Sequence, residues 1–515
     1  MADDGGVVET TNGPVRGLDD GITKSWRGIR YAAAPVGELR WRAPVPPEPW
    51  TEVADAGDFG PVAPQPSNPV IRLGDGIVQD EDCLSLNVSA ASGVVAGDAK
   101  PVMVWVHGGA YIFGSSSQPL YDPRALVSDG DVIVVTVNYR LGALGFLDLS
   151  GFSTGEHRFD TNLSLRDLIL ALEWVRDNIA RFGGDPDRVT LFGESAGGSI
   201  VTTMLTVPAA RGLFARAIAQ SAPATSVYDS ARAKRVATTF LGILGIDEGD
   251  VGALQDLPVD KIVAAGLALF SDVPATAPGT LAFAPTVDRD LLPDYPLAAF
   301  RAGQSHPVPL IIGTNKDEAA LFKWMKSPLM PITPDAIRAM FTEIAAEQPE
   351  LRLPSEAEIG SAYSGMKLKA AGLAVARDIG FRMPTIWLAE AHSAVAPVYL
   401  YRFDWATPML RALRVGATHA TELPYVWGNL VMGRKDITFK LGGLKVGKAL
   451  SARVQNRWVS FAVDGHPRGL PGDPEWFPYE REQRATLVID RQDSVIDDLD
   501  RDLREAWGDD VLNFL

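Results

Sequence analysis

Cysteine is almost missing from this chain. Cys83 is the single thiol in 515 residues, which rules out a disulfide within the chain. It stands in Glu81-Asp82-Cys83-Leu84 and reads as a small buried residue, with no neighbour of the kind that activates a catalytic thiol. Positive charge is in deficit: 48 Lys and Arg against 64 Asp and Glu give a formal net charge of −16 and a pI near 4.9. That balance argues against nucleic acid and against an anionic membrane as partners. No apolar run is long enough to cross a bilayer. The opening Met1-Ala-Asp-Asp-Gly-Gly lacks the basic and apolar regions of a secretory signal, so a cytoplasmic location is expected. Histidine is scarce, at six residues, and no run of His, Cys, Asp and Glu has metal-ligand spacing. Neither a metal nor a cofactor is expected.

What is present, 46% hydrophobic and 22% charged residues, builds a large globular core. The first 75 residues carry dense proline, as in 43–50 and from Pro61 to Pro69, and read as short strands and loops wrapped on that core. Apolar strands then alternate with helical patterns. Strands are expected at 84–88, 102–106, 132–138, 189–192, 309–313, 398–403 and 487–490. The middle ones are unbroken Val/Ile/Leu runs, as in a sheet covered on both faces. Helices are expected at 165–179, 199–206, 230–244, 335–347, 370–392 and 446–463. The alternation gives an α/β class with a mostly parallel sheet. Two helix-rich insertions, about 207–305 and 320–395, decorate it, and with no linker visible the whole of 1–515 reads as one domain.

The stretch Val189-Thr-Leu-Phe-Gly193-Glu194-Ser195-Ala196-Gly197-Gly198 runs from a strand into a helix with a lone serine at the turn. It has the G-x-S-x-G form of a nucleophile elbow. A hydroxyl exposed at so sharp a turn needs strained backbone angles, and a Cβ two residues to either side would collide with the crossing strand and helix. In a chain with 49 glycines the bare pattern also arises by chance as a turn, so further chemistry has to accompany it. A serine needs a base, and the adduct it forms needs preset donors. The donors are expected in Val104-Trp-Val-His107-Gly108-Gly109-Ala110-Tyr111, which follows a strand. The N–H groups of Gly109, Ala110 and Ala196 are assigned to that oxyanion hole.

The breadth of matching segments carries a resemblance. Trp26-Arg-Gly-Ile-Arg-Tyr-Ala, Pro35-Val-Gly-Glu-Leu-Arg-Trp, Glu81-Asp-Cys-Leu-Ser-Leu-Asn, Asn138-Tyr-Arg-Leu-Gly, Asn178-Ile-Ala-Arg-Phe-Gly-Gly-Asp-Pro and the elbow together resemble the type-B carboxylesterases of the cholinesterase/carboxylesterase superfamily. The bacterial p-nitrobenzyl esterases are the most similar branch. The resemblance implies an α/β-hydrolase fold and a triad in the order Ser, Glu, His. Its acid matches Glu318 in Ile311-Ile-Gly-Thr-Asn-Lys-Asp-Glu, where Ala319 replaces the usual glycine and Asp317 is the competing carboxylate. Its base matches His419 in Gly416-Ala-Thr-His419-Ala-Thr-Glu422. The resemblance also places Glu194 and Ser221 as supporting groups near the site, Ala222 standing where a glycine is usual, and Leu321 and Phe322 along the substrate gorge.

The remaining histidines read differently. His107 braces the donor loop; His157, His306 and His466 lie in exposed loops or turns; His392 ends a helix as a dipole-suited cation. A His419–Glu422 metal pair lacks the further ligands that zinc needs. Between Pro61 and Asp82 there is no aromatic residue and Cys83 has no upstream partner. The aromatic choline platform of the cholinesterase branch is therefore not expected. The function implied is a serine carboxylic-ester hydrolase acting on small neutral or aryl esters, as monomer or homodimer. A carbamate or amide hydrolase with the same triad, and a non-catalytic binding protein of this fold, are the alternatives.

Overall fold

The computed structural model describes residues 3–68, 71–74, 76–353, 363–364, 366–433 and 436–512. Pro69, at the end of the second proline cluster, and 354–362 with 365, in the second expected insertion, lie outside the described residues. The strands are β1 Asp3–Glu9, β2 Pro14–Asp19, β3 Thr23–Arg30, β4 Ala54–Asp55, β5 Ser85–Ala91, β6 Lys100–Val106, β7 Ile133–Val137, β8 Gly184–Glu194, β9 Arg216–Gln220, β10 Tyr228–Asp229, β11 Thr286–Val287, β12 Leu310–Asn315, β13 Val398–Phe403, β14 Ala485–Ile489 and β15 Ser494–Asp497. All but β10 and β11 form a thirteen-stranded sheet in the order β1-β2-β3-β5-β7-β6-β8-β9-β12-β13-β14-β15, with β4 on β2. From β7 through β14 neighbouring strands run parallel, and the flanks are antiparallel except for the short β4, which runs parallel to β2.

The apolar runs explain why the middle is parallel. Along β6, Val102, Val104 and Val106 join one buried cluster while Met103 and Trp105 join another. Both faces of the sheet are thus buried, and each needs a helical cover. Helix α1, Leu163–Asn178, lays Leu165, Leu168, Leu172 and Val175 on the first face. A long later helix, Leu444–Asp464, lays Leu450, Val454, Trp458 and Phe461 on the second and stops at Gly465, φ 86°. Among the described residues no helix is long and apolar enough to cross a membrane.

Two elements depart from expectation. The strand β9 lies within the segment read as the first insertion, and it is a full member of the sheet between β8 and β12. Its Arg-Ala-Ile-Ala-Gln sequence carries one β-branched residue, so it offers little strand signal. The helix expected at 370–392 is interrupted: Leu368–Arg377 and Met383–His392 are joined by a π-helical turn, Asp378–Arg382. Such a turn widens the backbone locally and commonly marks a functional site.

Register then fixes what meets at the carboxyl ends of the strands. Val106 pairs with Gly193, Glu194 with Gln220, and Gln220 with Gly313. The residues just beyond β6, β8, β9 and β12 are therefore neighbours, which is where an open parallel sheet binds ligands.

Candidate active site

Ser195 links β8 to the helix α2, Ala196–Met204, at φ 58° and ψ −125°. Few non-glycine residues adopt those angles, and holding them costs roughly 1–3 kcal/mol. The surroundings enforce them: Ser195 N–H donates to Gln220 O at 2.9 Å, and Ser199 N–H to Ser195 O at 2.9 Å. The glycines are sterically required. A Cβ on Gly193 would stand 2.7 Å from the Gly197 backbone and from Val106 O, and one on Gly197 would stand 2.1 Å from Val106 O.

The loop after β6 turns beside the serine. Gly109 has φ 120°, and its carbonyl accepts from Phe113 N–H at 2.9 Å. Ala110 and Tyr111 sit at φ 53° and 64°. The Gly109 and Ala110 N–H groups have no acceptor among the described residues, and Ala196 N–H opens a helix, where no intrahelical acceptor exists. His107 is buried under this loop, stacked on Tyr139 with ring centroids 4.5 Å apart, and its Nδ1–H donates to Gly108 O. Burial pushes His107 down to about 4, so it is a neutral brace.

His419 sits between a hydroxyl and a carboxylate. Ser195 Oγ–H donates to its Nε2 at 2.8 Å, and its Nδ1–H donates to Glu318 Oε2 at 2.7 Å. The other Glu318 oxygen accepts from Ser221 Oγ–H and Asn315 N–H, both at 2.6 Å. The rings of Phe322 and Phe381 stand 5.2 and 4.9 Å from the imidazole. Asp317, the competing carboxylate, is turned away; its Oδ2 accepts from Ala417 N–H at 3.0 Å and so ties down the histidine loop.

Two more buried glutamates crowd the imidazole. Glu194 Oε1 lies 3.3 Å from His419 Nε2 and has no hydrogen-bond partner among the described residues. Glu422 accepts from the side-chain amides of Asn315 and Gln220. Burial lifts Glu194 to about 8 and Glu422 to about 7. For His419 burial works downward, but the carboxylates of Glu194 and Glu318 outweigh it and hold the imidazole up at about 9. Glu422 stands outside the roles read from sequence, where it was weighed only as a metal partner; its position three residues after His419 is the one local cue.

A cavity opens over Ser195. Its walls include Ala110, Ala196, Phe322 and, from the π-helical turn, Ile379, Gly380 and Phe381. Leu321 does not line it; its N–H donates to Thr418 Oγ1. Two histidines differ from expectation. His306 is buried, with Nε2–H donating to Val207 O. His392 is fully buried between Ser305 Oγ and Val308 O, and burial lowers its pKa, so it is no dipole-suited cation.

Comparison with known proteins agrees along the whole chain. The model of the carboxylesterase family matches residues 4–507. The chain is 37% identical over 508 residues to the para-nitrobenzyl esterase of Bacillus subtilis (strain 168), covering 97% of this chain and 98% of that protein. It is 32% identical over 497 residues to the phenmedipham hydrolase of Pseudarthrobacter oxydans, covering 94% of each. Among solved structures, a PNB esterase superposes with a TM-score of 0.83 at 36% identity, covering 98% of this chain and 99% of that one. A carboxylesterase from Geobacillus stearothermophilus gives 0.82 at 34%, covering 98% and 100%.

Proposed function

Because the chain belongs to the carboxylesterase family, with an α/β-hydrolase fold and ester hydrolysis as its activity, we propose that it works through an acyl-enzyme on Ser195, with His419 as base and Glu318 as acid. The observation that carries this reading is the hydrogen-bonded relay Ser195–His419–Glu318, at 2.8 and 2.7 Å. His419 Nε2 takes the Ser195 proton as Oγ attacks the ester carbonyl. Glu318 fixes the tautomer and stabilises the imidazolium, while its own charge is held by Ser221 and Asn315. The N–H groups of Gly109, Ala110 and Ala196 receive the oxyanion, and their freedom from other acceptors supports that role. His419 returns the proton to the leaving alcohol. A water then attacks the acyl-enzyme with His419 again as base.

The substrate in this reading is a small neutral or aryl ester bound without metal or cofactor. The chain acts as one domain, its insertions running between β9 and β12 and between β12 and β13. The lone thiol of Cys83 fits the cytoplasm. A second reading, a carbamate or amide hydrolase with the same three residues, draws on the relative named phenmedipham hydrolase.

A panel of p-nitrophenyl acyl esters, aryl carbamates and anilides, run on wild type and Ser195→Ala, tests both readings. We expect esters to be the best substrates and Ser195→Ala to lower kcat by roughly four to six orders of magnitude. An organophosphate should label Ser195 in the intact protein. Full ester turnover by Ser195→Ala, or label on another residue, overturns the assignment. Carbamates outrunning esters would favour the second reading.

A further inference from the structure

The cavity over Ser195 has two kinds of wall. Most of it is hydrocarbon, with Phe322, Leu329, Met340, Ile344, Ile379 and Phe381 as its main surfaces, and no charged side chain lines it among the described residues. Besides Ser195 and Tyr111, one stretch differs. Beyond β9 the chain runs Pro223-Ala-Thr225-Ser226-Val-Tyr228, and Thr225, Ser226 and Tyr228 all line the cavity.

These hydroxyls have donors to spare. The side-chain hydroxyls of Thr225 and Ser226 have no hydrogen-bond partner among the described residues. Tyr228 Oη accepts from Leu281 N–H at 2.7 Å, and its own proton has no acceptor among the described residues. Burial raises the Tyr228 pKa, so the phenol keeps that proton. The stretch is also firmly held. Ser221, at its start, is bonded to Gly313 O and Glu318; Ser226 N–H donates to Pro223 O; Tyr228 and Asp229 pair with β11; and the Arg232 guanidinium lies 4.4 Å from the Tyr228 ring centroid. A fixed row of neutral donors in a wall without charge fits an uncharged acceptor. An ionised group there would lose hydration, and the nearby Arg232 guanidinium is already engaged by Glu343 and Glu347.

We propose that Thr225, Ser226 and Tyr228 form a hydrogen-bonding subsite that selects esters carrying a neutral acceptor oxygen, such as an ether or carbonyl, in the part of the substrate that reaches this wall. The assignment rests on Ser195 being the nucleophile of the site. An all-carbon chain placed there strands the hydroxyls from water, whereas an acceptor oxygen replaces the water it expels.

An ether scan tests it. Esters of fixed chain length, in which one methylene is replaced by oxygen at successive positions, are prepared once in the acyl part and once in the alcohol part. Each is compared with its all-carbon parent by kcat/KM, normalised to active sites titrated with an organophosphate. We expect wild type to prefer the ether at one or two positions in one series. Thr225→Val and Ser226→Ala should each shrink that preference about three- to tenfold, the net worth of one hydrogen bond, and Thr225→Ser should restore it. Taking the ratio cancels the intrinsic reactivity of the esters and any general loss from the substitution. Wild type without an ether preference in either series, or preferences left within about twofold by both variants, overturns the subsite. Wild type inactive on every ester, parents included, counts against the proposed reaction instead.

Discussion

In the proposed mechanism Glu194 lies against the nitrogen of His419 that takes the serine proton, 3.3 Å away, and its charge makes the imidazole harder to deprotonate. Burial alone would favour the neutral ring, but Glu194 and Glu318 hold it up at about 9. Glu194 is itself raised to about 8 by its burial, and the opposite charges of the two groups favour each other. Only forms with a neutral His419 begin the reaction, and kcat/KM therefore climbs with pH across the neutral range. Replacing Glu194 by Gln removes the nearby negative charge and lowers the His419 pKa. The acid limb of the kcat/KM profile should move to lower pH by about one to three units, the usual effect of a charge at this distance. A limb that stays in place or moves upward would mean that Glu194 does not set the basicity of the imidazole. Glu422 shows why part of the cluster is hidden at this scale. Its partners Asn315 and Gln220 lie 107 and 202 residues away, and no local pattern announces such a contact. The elbow around Ser195 shows as a pattern within six residues, although the partners that hold its angles, Gln220 and Val106, lie far along the chain.

At the scale of elements, the site is a set of loops sewn to one another beyond the strand ends. Gly197, in the first turn of α2, passes so close to β6 that a Cβ would meet Val106 O at 2.1 Å and His107 O at 2.8 Å. Both obstacles are backbone and cannot rotate away. Gly197→Ala is expected to destabilise the protein by about 2–3 kcal/mol or more, read as a lower urea midpoint. An unchanged midpoint would mean that the elbow has slack the geometry denies. The histidine loop is sewn to the acid loop in the same way: Asp317 N–H donates to Ala417 O, Asp317 Oδ2 accepts from Ala417 N–H, and Thr418 Oγ1–H donates to Glu318 O. Asp317→Ala removes one of these ties. It should lower kcat about tenfold or more through misplacement of His419, on the scale of a hydrogen bond to a charged group, while KM changes little. A loss confined to KM would place Asp317 in substrate binding. The strands carrying these loops were legible wherever they were long Val/Ile runs, as in β6 and β7. The strand β9 was not, because a central position rather than β-branched residues makes Arg-Ala-Ile-Ala-Gln a strand. The π-helical turn at 378–382 escaped for a related reason: helical periodicity continues through it, and the inserted width shows only in space.

The molecule as a whole carries its charges on two sides of a pH optimum. On the acid side, Asp498, hydrogen-bonded by Arg504, and Asp404, where Arg402 outweighs burial, are held below the usual carboxylate range. A depressed native pKa gives stability that is present above the unfolded value and lost as pH falls through the native one. The buried glutamates act in the opposite sense. Glu194 and Glu422 have unfolded values of 4.5 and native values of about 8 and about 7, burial being the main cause. Between those limits the native state binds more protons than the unfolded chain, so the contribution of these two groups is full below pH 4.5 and declines as pH rises. Each group that keeps its proton contributes a slope of up to about 1.4 kcal/mol per pH unit. His419, raised from 6.5 to about 9, adds a decline of the same sign above pH 6.5. The urea midpoint should therefore fall from about pH 5 to about pH 8. Glu194→Gln with Glu422→Gln should flatten that fall, because glutamine keeps the shape of the protonated acid and has no proton to lose. The double variant should consequently gain on wild type as pH rises, despite having lost two ionisable groups from its active site. If wild type and double variant lose stability in parallel over this range, the slope belongs to other groups, and Glu194 and Glu422 are not what tunes this fold against alkali.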